Sequence, residues 1–161
     1  MILPAAAVVE TLESLGITHV VWLPDSAIGP WEGALLASPK LTLVRVCREG
    51  EAWTIAAGLH LAGQRPLVVI QNTGLFESGD ALRNVLFDLG LPLFALVGYR
   101  NYLVEGSPDT ARHFTEPALR AWGLEYVIVD ALDTLPRLAD HYRACQQAGR
   151  AGVALIAEGK G

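Results

Sequence analysis

Val-Cys-Arg-Glu-Gly-Glu-Ala-Trp-Thr-Ile-Ala-Ala-Gly-Leu-His-Leu-Ala-Gly, residues 46–63, is the stretch on which the fold turns. The apolar run Leu41 to Cys47 leads into it and predicts a buried strand. A helix of small residues follows, with Ala52, Ala56, Ala57 and Gly58 allowing a close neighbour. Arg48, Glu49 and Glu51 sit at the junction. The two acids fall in the first helical turn, where the helix dipole favours negative charge. They are either ordinary N-terminal charge placement or a proton handler at a strand's carboxyl end, where open α/β sheets hold their ligands.

The same rhythm runs outward in both directions. Pro4 to Leu15 predicts an amphipathic helix closed by Gly16, and Thr18 to Leu23 a buried strand. Pro24-Asp25-Ser26 ends that strand, and Asp25 or Ser26 is placed to cap a helix from about Pro30 to Ala37. After the turn Gln64-Arg65-Pro66 comes a third strand, Leu67 to Gln71. Asn72-Thr73-Gly74 then leads to a helix from about Ser78 to Leu89. Pro92 introduces a fourth strand, Leu93 to Val97. A polar, turn-rich segment runs from Gly98 to Thr115, before a short helix from Glu116 to Trp122. Tyr126 to Val129, Leu132 to Ala148 and Val153 to Ala157 read as strand, long helix and strand. Short apolar strands alternating with helices predict an α/β fold. Its three α/β/α layers surround a six-stranded, mostly parallel sheet covered on both faces. One domain over residues 1–161 is expected, since that length suffices for a proper core.

Composition narrows the function. With 52% hydrophobic and 18% charged residues the chain is neither disordered nor a solvated tail. A net charge of −5 argues against a nucleic-acid groove. No apolar run has the length of a membrane span. The N-terminus lacks a basic region before its apolar residues, which argues against a signal peptide. Cys47 and Cys145 read as buried free thiols of a cytoplasmic protein. No close Cys or His pair starts a zinc site. Gly-x-Gly-x-x-Gly, Walker A and Gly-x-Ser-x-Gly sequences are all absent, so no cofactor held wholly by this chain is expected. Glu77-Ser78-Gly79-Asp80 sits where a helix begins and is not a phosphate loop.

Polar residues instead gather at strand ends. They are Pro24-Asp25-Ser26 after the first strand and Arg48, Glu49 and Glu51 after the second. Asn72, Thr73 and Gly74 follow the third, and Tyr99, Arg100 and Asn101 the fourth. In a parallel sheet these ends share one edge, so the residues converge on one crevice. A cap explains Asp25 alone and a turn explains Asn72 alone, but four coincidences on one edge favour a site.

Leu-Pro-Asp-Ser at 23–26, Arg-Glu-Gly-Glu-Ala at 48–52, Ala-Ala-Gly at 56–58 and Gln-Asn-Thr-Gly-Leu at 71–75 resemble the pyrimidine-binding (PYR) domain of thiamine-diphosphate enzymes. Among those the likeness is to the phosphonopyruvate and sulfopyruvate decarboxylase group. Leu93 to Arg100 resembles that group's next strand. The resemblance implies roles. Glu49 stands at the family's interval before Gly58, and Glu51 does not. Glu49 would hydrogen-bond the aminopyrimidine ring and so activate the thiazolium carbon. An acid in that apolar seam would hold its proton more tightly than usual. Asp25 matches an acid beside the reacting carbon that transfers a proton. Pro24, Asn72, Thr73 and Gly74 match positions lining the cofactor, Gly74 through its backbone.

The likeness weakens between Ser107 and Phe114. There the phosphonopyruvate enzymes carry Asp-Glu-Pro-Gln-His, and this chain has Asp109-Thr110-Ala111-Arg112-His113. His113 is either an acid/base or a plain loop histidine. Ser26 is a candidate substrate contact. Arg48, Arg100 and Arg112 either hold a sulfonate, phosphonate or carboxylate or are ion-paired surface arginines. His19, His60 and His141 read as structural, and Trp22, Trp31, Trp53 and Trp122 as core or interface. The family's diphosphate-binding domain, which holds Mg²⁺ and the diphosphate, has no counterpart in the sequence. Sulfopyruvate decarboxylases are split in this way. The resemblance therefore implies one subunit of a decarboxylase, an oligomer sharing thiamine diphosphate with a diphosphate-binding partner. A carboligase subunit of acetolactate type, or a non-catalytic subunit that kept the fold, are the rival expectations.

Overall fold

A computed structural model describes residues 3–25 and 28–159. Its centre is a six-stranded sheet. The strands are β1 (His19–Trp22), β2 (Thr42–Arg45), β3 (Pro66–Gln71), β4 (Phe94–Tyr99), β5 (Tyr126–Val129) and β6 (Gly152–Ala157), in the order β2-β1-β3-β4-β6-β5. Every adjacent pair is parallel. The helices are α1 (Ala5–Ser14), α2 (Glu32–Ala37), α3 (Glu49–Leu61), α4 (Asn72–Glu77), α5 (Gly79–Arg83), α6 (Thr110–Ala121) and α7 (Pro136–Gln147).

The period of two in the central strands splits the core into two layers. Val20, Trp22, Leu67, Val69, Phe94, Leu96, Ala154 and Ile156 face one side, where α1, α2 and α7 bury Val8, Leu12, Leu35, Leu138 and Tyr142. Val21, Val68, Ile70, Ala95, Val97, Val153 and Leu155 face the other, with Ala52, Trp53, Ala56, Leu75, Leu82 and Leu119 from α3 to α6. β3 and β4 are buried almost throughout, as continuous Val/Ile/Leu runs in a doubly covered sheet should be. The order reverses between β1 and β3, because β2 lies to one side of β1 and all later strands to the other. That switch opens a crevice at the carboxyl edge.

Three expectations need correction. The strand after Leu41 is not buried: β2 is an edge strand with Thr42 and Arg45 exposed, and Cys47 beyond it is exposed too, while Cys145 is buried. Asn72-Thr73-Gly74 is not a loop. β3 runs straight into α4, and the one helix expected from Ser78 to Leu89 is instead α4, α5 and a π-turn over Asn84–Asp88. The helix expected from Glu116 begins six residues earlier, at Thr110. Asp109 caps it by accepting from Ala111 N at 3.0 Å, and Pro117 is tolerated inside α6. In α3, Ala52, Trp53, Ala56 and Ala57 face the sheet, and Ile55 and Leu61 are exposed.

Trp22, Trp31 and Trp53 lie in the core. Gly16, at φ 70°, closes α1 in the left-handed region that glycine tolerates. No helix among the described residues is long and apolar enough to cross a membrane.

Candidate functional site

The β2–α3 junction is stapled in place by two acids. Glu51 Oε2 accepts from Cys47 N at 3.0 Å and from Arg48 N at 3.2 Å, which satisfies amides that α3 leaves without helical partners. Glu77, at the end of α4, accepts from Arg48 Nη2 at 2.6 Å and from Gly50 N at 3.2 Å. Arg48 is thereby an ion-paired surface arginine. Glu49 takes part in neither staple. Its half-buried side chain lies against Gly74 at the start of α4. A methyl group on Gly74 would overlap Glu49 Cγ and lie 2.5 Å from Oε1 and 2.7 Å from Cδ. Only glycine leaves Glu49 that space.

Asp25 closes the turn after β1. Ile28 N donates to its Oδ1 at 2.9 Å, and Gly29 N to its carbonyl at 2.9 Å. Ser26 lies outside the described residues. Asn72 is fully buried. Its Nδ2 donates to Thr115 Oγ1 at 3.0 Å, while Oδ1 has no hydrogen-bond partner. Thr73 Oγ1 donates to Gln71 Oε1 at 2.9 Å. Pro24 is exposed. Asp25 and Asn72 thus flank the crevice where the strand order reverses.

A further acid joins them, Glu158, the residue after β6. It is 8% exposed, and its Oε1 has no hydrogen-bond partner. The β4–β6 ladder continues through it. Glu158 N donates to Tyr99 O at 3.1 Å, and Leu103 N donates to its carbonyl at 3.0 Å. Burial, and then the Asp25 charge, push its carboxyl up to about 8, against the opposing pull of Arg100.

Arg100 and Arg112 are both committed within the chain. The Arg100 guanidinium donates to Asp109 at 2.8 and 3.0 Å, and Asn101, in the left-handed region at φ 58°, adds a bond of 2.8 Å. Arg100 above all holds the Asp109 carboxyl well below the usual carboxylate range. Arg112 Nη1 donates to Val104 O at 2.6 Å, and Tyr99 Oη donates to Arg112 O and to Glu116 Oε1, both at 3.1 Å. His113 is exposed on α6, not in a loop. With Arg112, Tyr99, Tyr102 and Glu116 it lines a cavity of about 640 Å³ that neither Glu49 nor Asp25 lines.

Asp109 ties the β4 end to α6, which gives a stability prediction. Asp109→Ala removes a helix cap and a charged pair, and is expected to cost roughly 2 to 4 kcal/mol. Because its folded pKa is depressed, the stability Asp109 adds is present above its unfolded pKa and lost as pH falls through the folded one. Chemical denaturation of the variant at pH 7 and pH 3 checks this. A difference from wild type no smaller at pH 3 than at pH 7 would contradict the assignment.

Sequence reasoning missed Glu77, Asp109 and Glu158. Glu77 acts through Arg48 and Gly50, distant in sequence, whereas Asp109 caps α6 through Ala111, a local signal that passes unread among the polar residues around it. Glu158 did leave a signal, a lone acid directly after the apolar run of the last strand, at the same edge as the other strand ends.

Residues 4–121 match the family described as thiamine pyrophosphate enzyme, N-terminal TPP binding domain. The chain is 29% identical over 157 residues to a sulfopyruvate decarboxylase of Methanosarcina acetivorans, an alignment covering 95% of this chain and 40% of that protein. It is 28% identical over 147 residues to a phosphonopyruvate decarboxylase of Streptomyces viridochromogenes, covering 88% and 36%. A sulfopyruvate decarboxylase subunit alpha of Methanothermobacter thermautotrophicus is 30% identical over 94 residues, covering 58% and 57%. The chain thus spans 40% and 36% of the first two relatives, and its alignment with the third covers 57% of that protein.

Proposed function

The chain belongs to the thiamine pyrophosphate enzyme family, as its N-terminal TPP-binding domain, and from that premise we propose that it is the pyrimidine-binding subunit of a split 2-oxo acid decarboxylase. The substrate is sulfopyruvate or phosphonopyruvate, and the cofactor is thiamine diphosphate shared with a diphosphate-binding partner subunit that holds the Mg²⁺. The observation that carries this reading is Glu49 lying on Gly74, which brings together the residues that follow the second and third strands although β1 lies between those strands in the sheet. The residues present fit the cofactor. Asn72 Oδ1 is a buried acceptor without a hydrogen-bond partner, suited to an amino group, and Glu49 offers a carboxyl at the same edge of the sheet, against Gly74. When bound, thiamine diphosphate supplies a carbon nucleophile and an electron sink for loss of CO₂.

This chain's residues do the rest. Glu49 holds a proton at the aminopyrimidine ring nitrogen. Pro24, Thr73 and the Gly74 backbone shape the wall around it, and the glycine keeps that wall low enough for the Glu49 side chain. Asp25 delivers a proton to the substrate carbon that has lost CO₂. Arg100, anchored by Asp109, and Arg112, in the cavity it shares with His113, are proposed as the positive charges a sulfonate or phosphonate meets. His113 is proposed as an acid/base acting from the neighbouring cavity that it lines with Arg112, which neither Glu49 nor Asp25 lines. Ser26, next to Asp25 in the sequence, is proposed as a substrate contact. Both cysteines are free thiols, in keeping with a cytoplasmic enzyme.

The test is reconstitution. The chain is co-purified from its source with whatever accompanies it, then supplied with thiamine diphosphate, Mg²⁺ and each acid. Release of CO₂ and the matching aldehyde is expected. Calorimetry on the chain alone, with Mg²⁺ present, should show no tight binding of thiamine diphosphate. Sub-micromolar binding at one site per chain would sink the split-enzyme reading, and absence of CO₂ release from both acids would sink the activity.

A further inference from the structure

We propose that Glu158 and Asp25 form one acid pair over Gly98, in which Glu158 is the positioning residue that keeps a proton beside Asp25 for delivery to the decarboxylated substrate carbon. The delivery step rests on the function proposed above, while the pair itself rests on geometry alone. β1 and β6 are separated in the sheet by β3 and β4, yet their following residues meet above β4. A methyl group built on Gly98 would overlap Glu158 Oε1 and lie 3.4 Å from Asp25 Oδ2. Gly98 pairs with Ile156 in the ladder, so the alternation of β6 brings Glu158, two residues on, to the same face. The glycine in the fully buried β4 thus makes room for two carboxyl groups where any other residue would displace one.

The backbone of Glu158 is pinned on both sides, by Tyr99 and by Leu103, which fixes the point from which its side chain reaches over Gly98. A carboxyl that is nine-tenths buried, with an oxygen lacking any hydrogen bond, is costly as an anion and much less so as a neutral acid. Two charged groups act on it among the described residues. Asp25, beyond β1, favours the proton. Arg100, beyond β4, opposes it, but Arg100 is already neutralised by Asp109.

A neutral Glu158 beside Asp25 answers a chemical need. A carbon that has lost CO₂ must gain a proton before an aldehyde can leave, and an ordinary aspartate has none to give at neutral pH. The O–H bond of Glu158 breaks and its proton passes to Asp25, directly or over one water. Asp25 passes a proton on, and a C–H bond forms at the substrate. Glu158 is left as a buried anion facing a second carboxylate, so it recovers a proton from solvent water before the next turnover.

Carboxyl titration by ¹³C NMR on the full-length chain tests the pair without any cofactor. The Glu158 signal, assigned with Glu158→Gln, should titrate near pH 8 and move to lower pH in Asp25→Asn. Thermal unfolding gives a second readout. A raised folded pKa adds stability that is complete below about pH 4.5 and lost as pH rises through about 8. The melting temperature of wild type should therefore fall across that window, and that of Glu158→Gln should fall less. A Glu158 signal in the ordinary carboxylate range, or one indifferent to Asp25→Asn, overturns the pair whatever the enzyme does. In the reconstituted enzyme, kcat should decline above about pH 8, and Glu158→Gln should lower kcat more than it changes KM and abolish that alkaline decline. An identical alkaline limb in both proteins overturns the delivery role. A normal pair in a complex that releases no CO₂ counts against the proposed function and leaves the pair standing.

Discussion

Replacing Glu49 by glutamine is expected to lower turnover of the reconstituted enzyme at least about a hundredfold, the scale on which a positioned acid or base contributes. Glutamine keeps the size of the side chain and still fits over Gly74, but it cannot exchange a proton with a ring nitrogen. Glu51→Gln should be mild for a structural reason. The Glu51 carboxylate is already spent on Cys47 N and Arg48 N, and an amide oxygen can accept the same two bonds. Gly74→Ala sharpens the comparison. Gly74 sits within α4 without a positive φ, so alanine there should gain about 1 kcal/mol of helix propensity. Its methyl group would occupy the space of Glu49 Cγ. The expected outcome is a variant that melts no lower than wild type yet turns over far more slowly. Steady-state kinetics and calorimetry on the three variants decide it. Equal losses in Glu49→Gln and Glu51→Gln, or a fully active Gly74→Ala, would remove Glu49 from the role proposed here.

The sheet was legible because its information is local. Val68-Val69-Ile70 and Phe94 to Val97 are apolar runs too short for helices and flanked by turn residues, and both are central strands. The convergence of strand ends followed from parallel topology alone, and the ends of β1, β2, β3 and β4 do share one edge. What escaped depended on partners distant in sequence. The start of α6 could not be read because Asp109 looks like one polar residue among several, until Arg100 and Asn101 fold back to fix it as a cap. β2 looked buried because its composition is apolar, and composition does not say whether a strand lies at the edge of the sheet. Glu158 was passed over because a single acid after a strand is common. Its burial is created by Gly98 and by the turn after β4, neither of which is near it in sequence.

The same distinction between local and distant information governs assembly, where the second large effect is expected. An apolar helix on a parallel sheet needs only one of its faces for that sheet. In α3 the inner face is Ala52, Trp53, Ala56 and Ala57, all buried. The outer face carries Ile55 at 38% and Leu61 at 71% exposure, with open space around Gly58. A partner subunit seated on this outer face would meet the helix that begins with Glu49, which is where a shared cofactor must reach. The unmodified chain should therefore sediment at micromolar concentration as an oligomer or a mixed complex. The substitutions that test this must be placed on the outer face. Ala56 and Ala57 were the natural choice from sequence, but Ala56→Lys would drive an unpaired charge against the sheet and cost about 3 to 5 kcal/mol, unfolding the chain instead of dissociating it. Ile55→Asp with Leu61→Asp adds charge only where water already reaches. That double variant should retain its helical circular dichroism while sedimenting as single chains, and should melt lower only by what the lost association contributed. A wild-type chain that is a stable monomer at micromolar concentration, or a double variant that assembles as wild type does, would show that the outer face of α3 is not the interface.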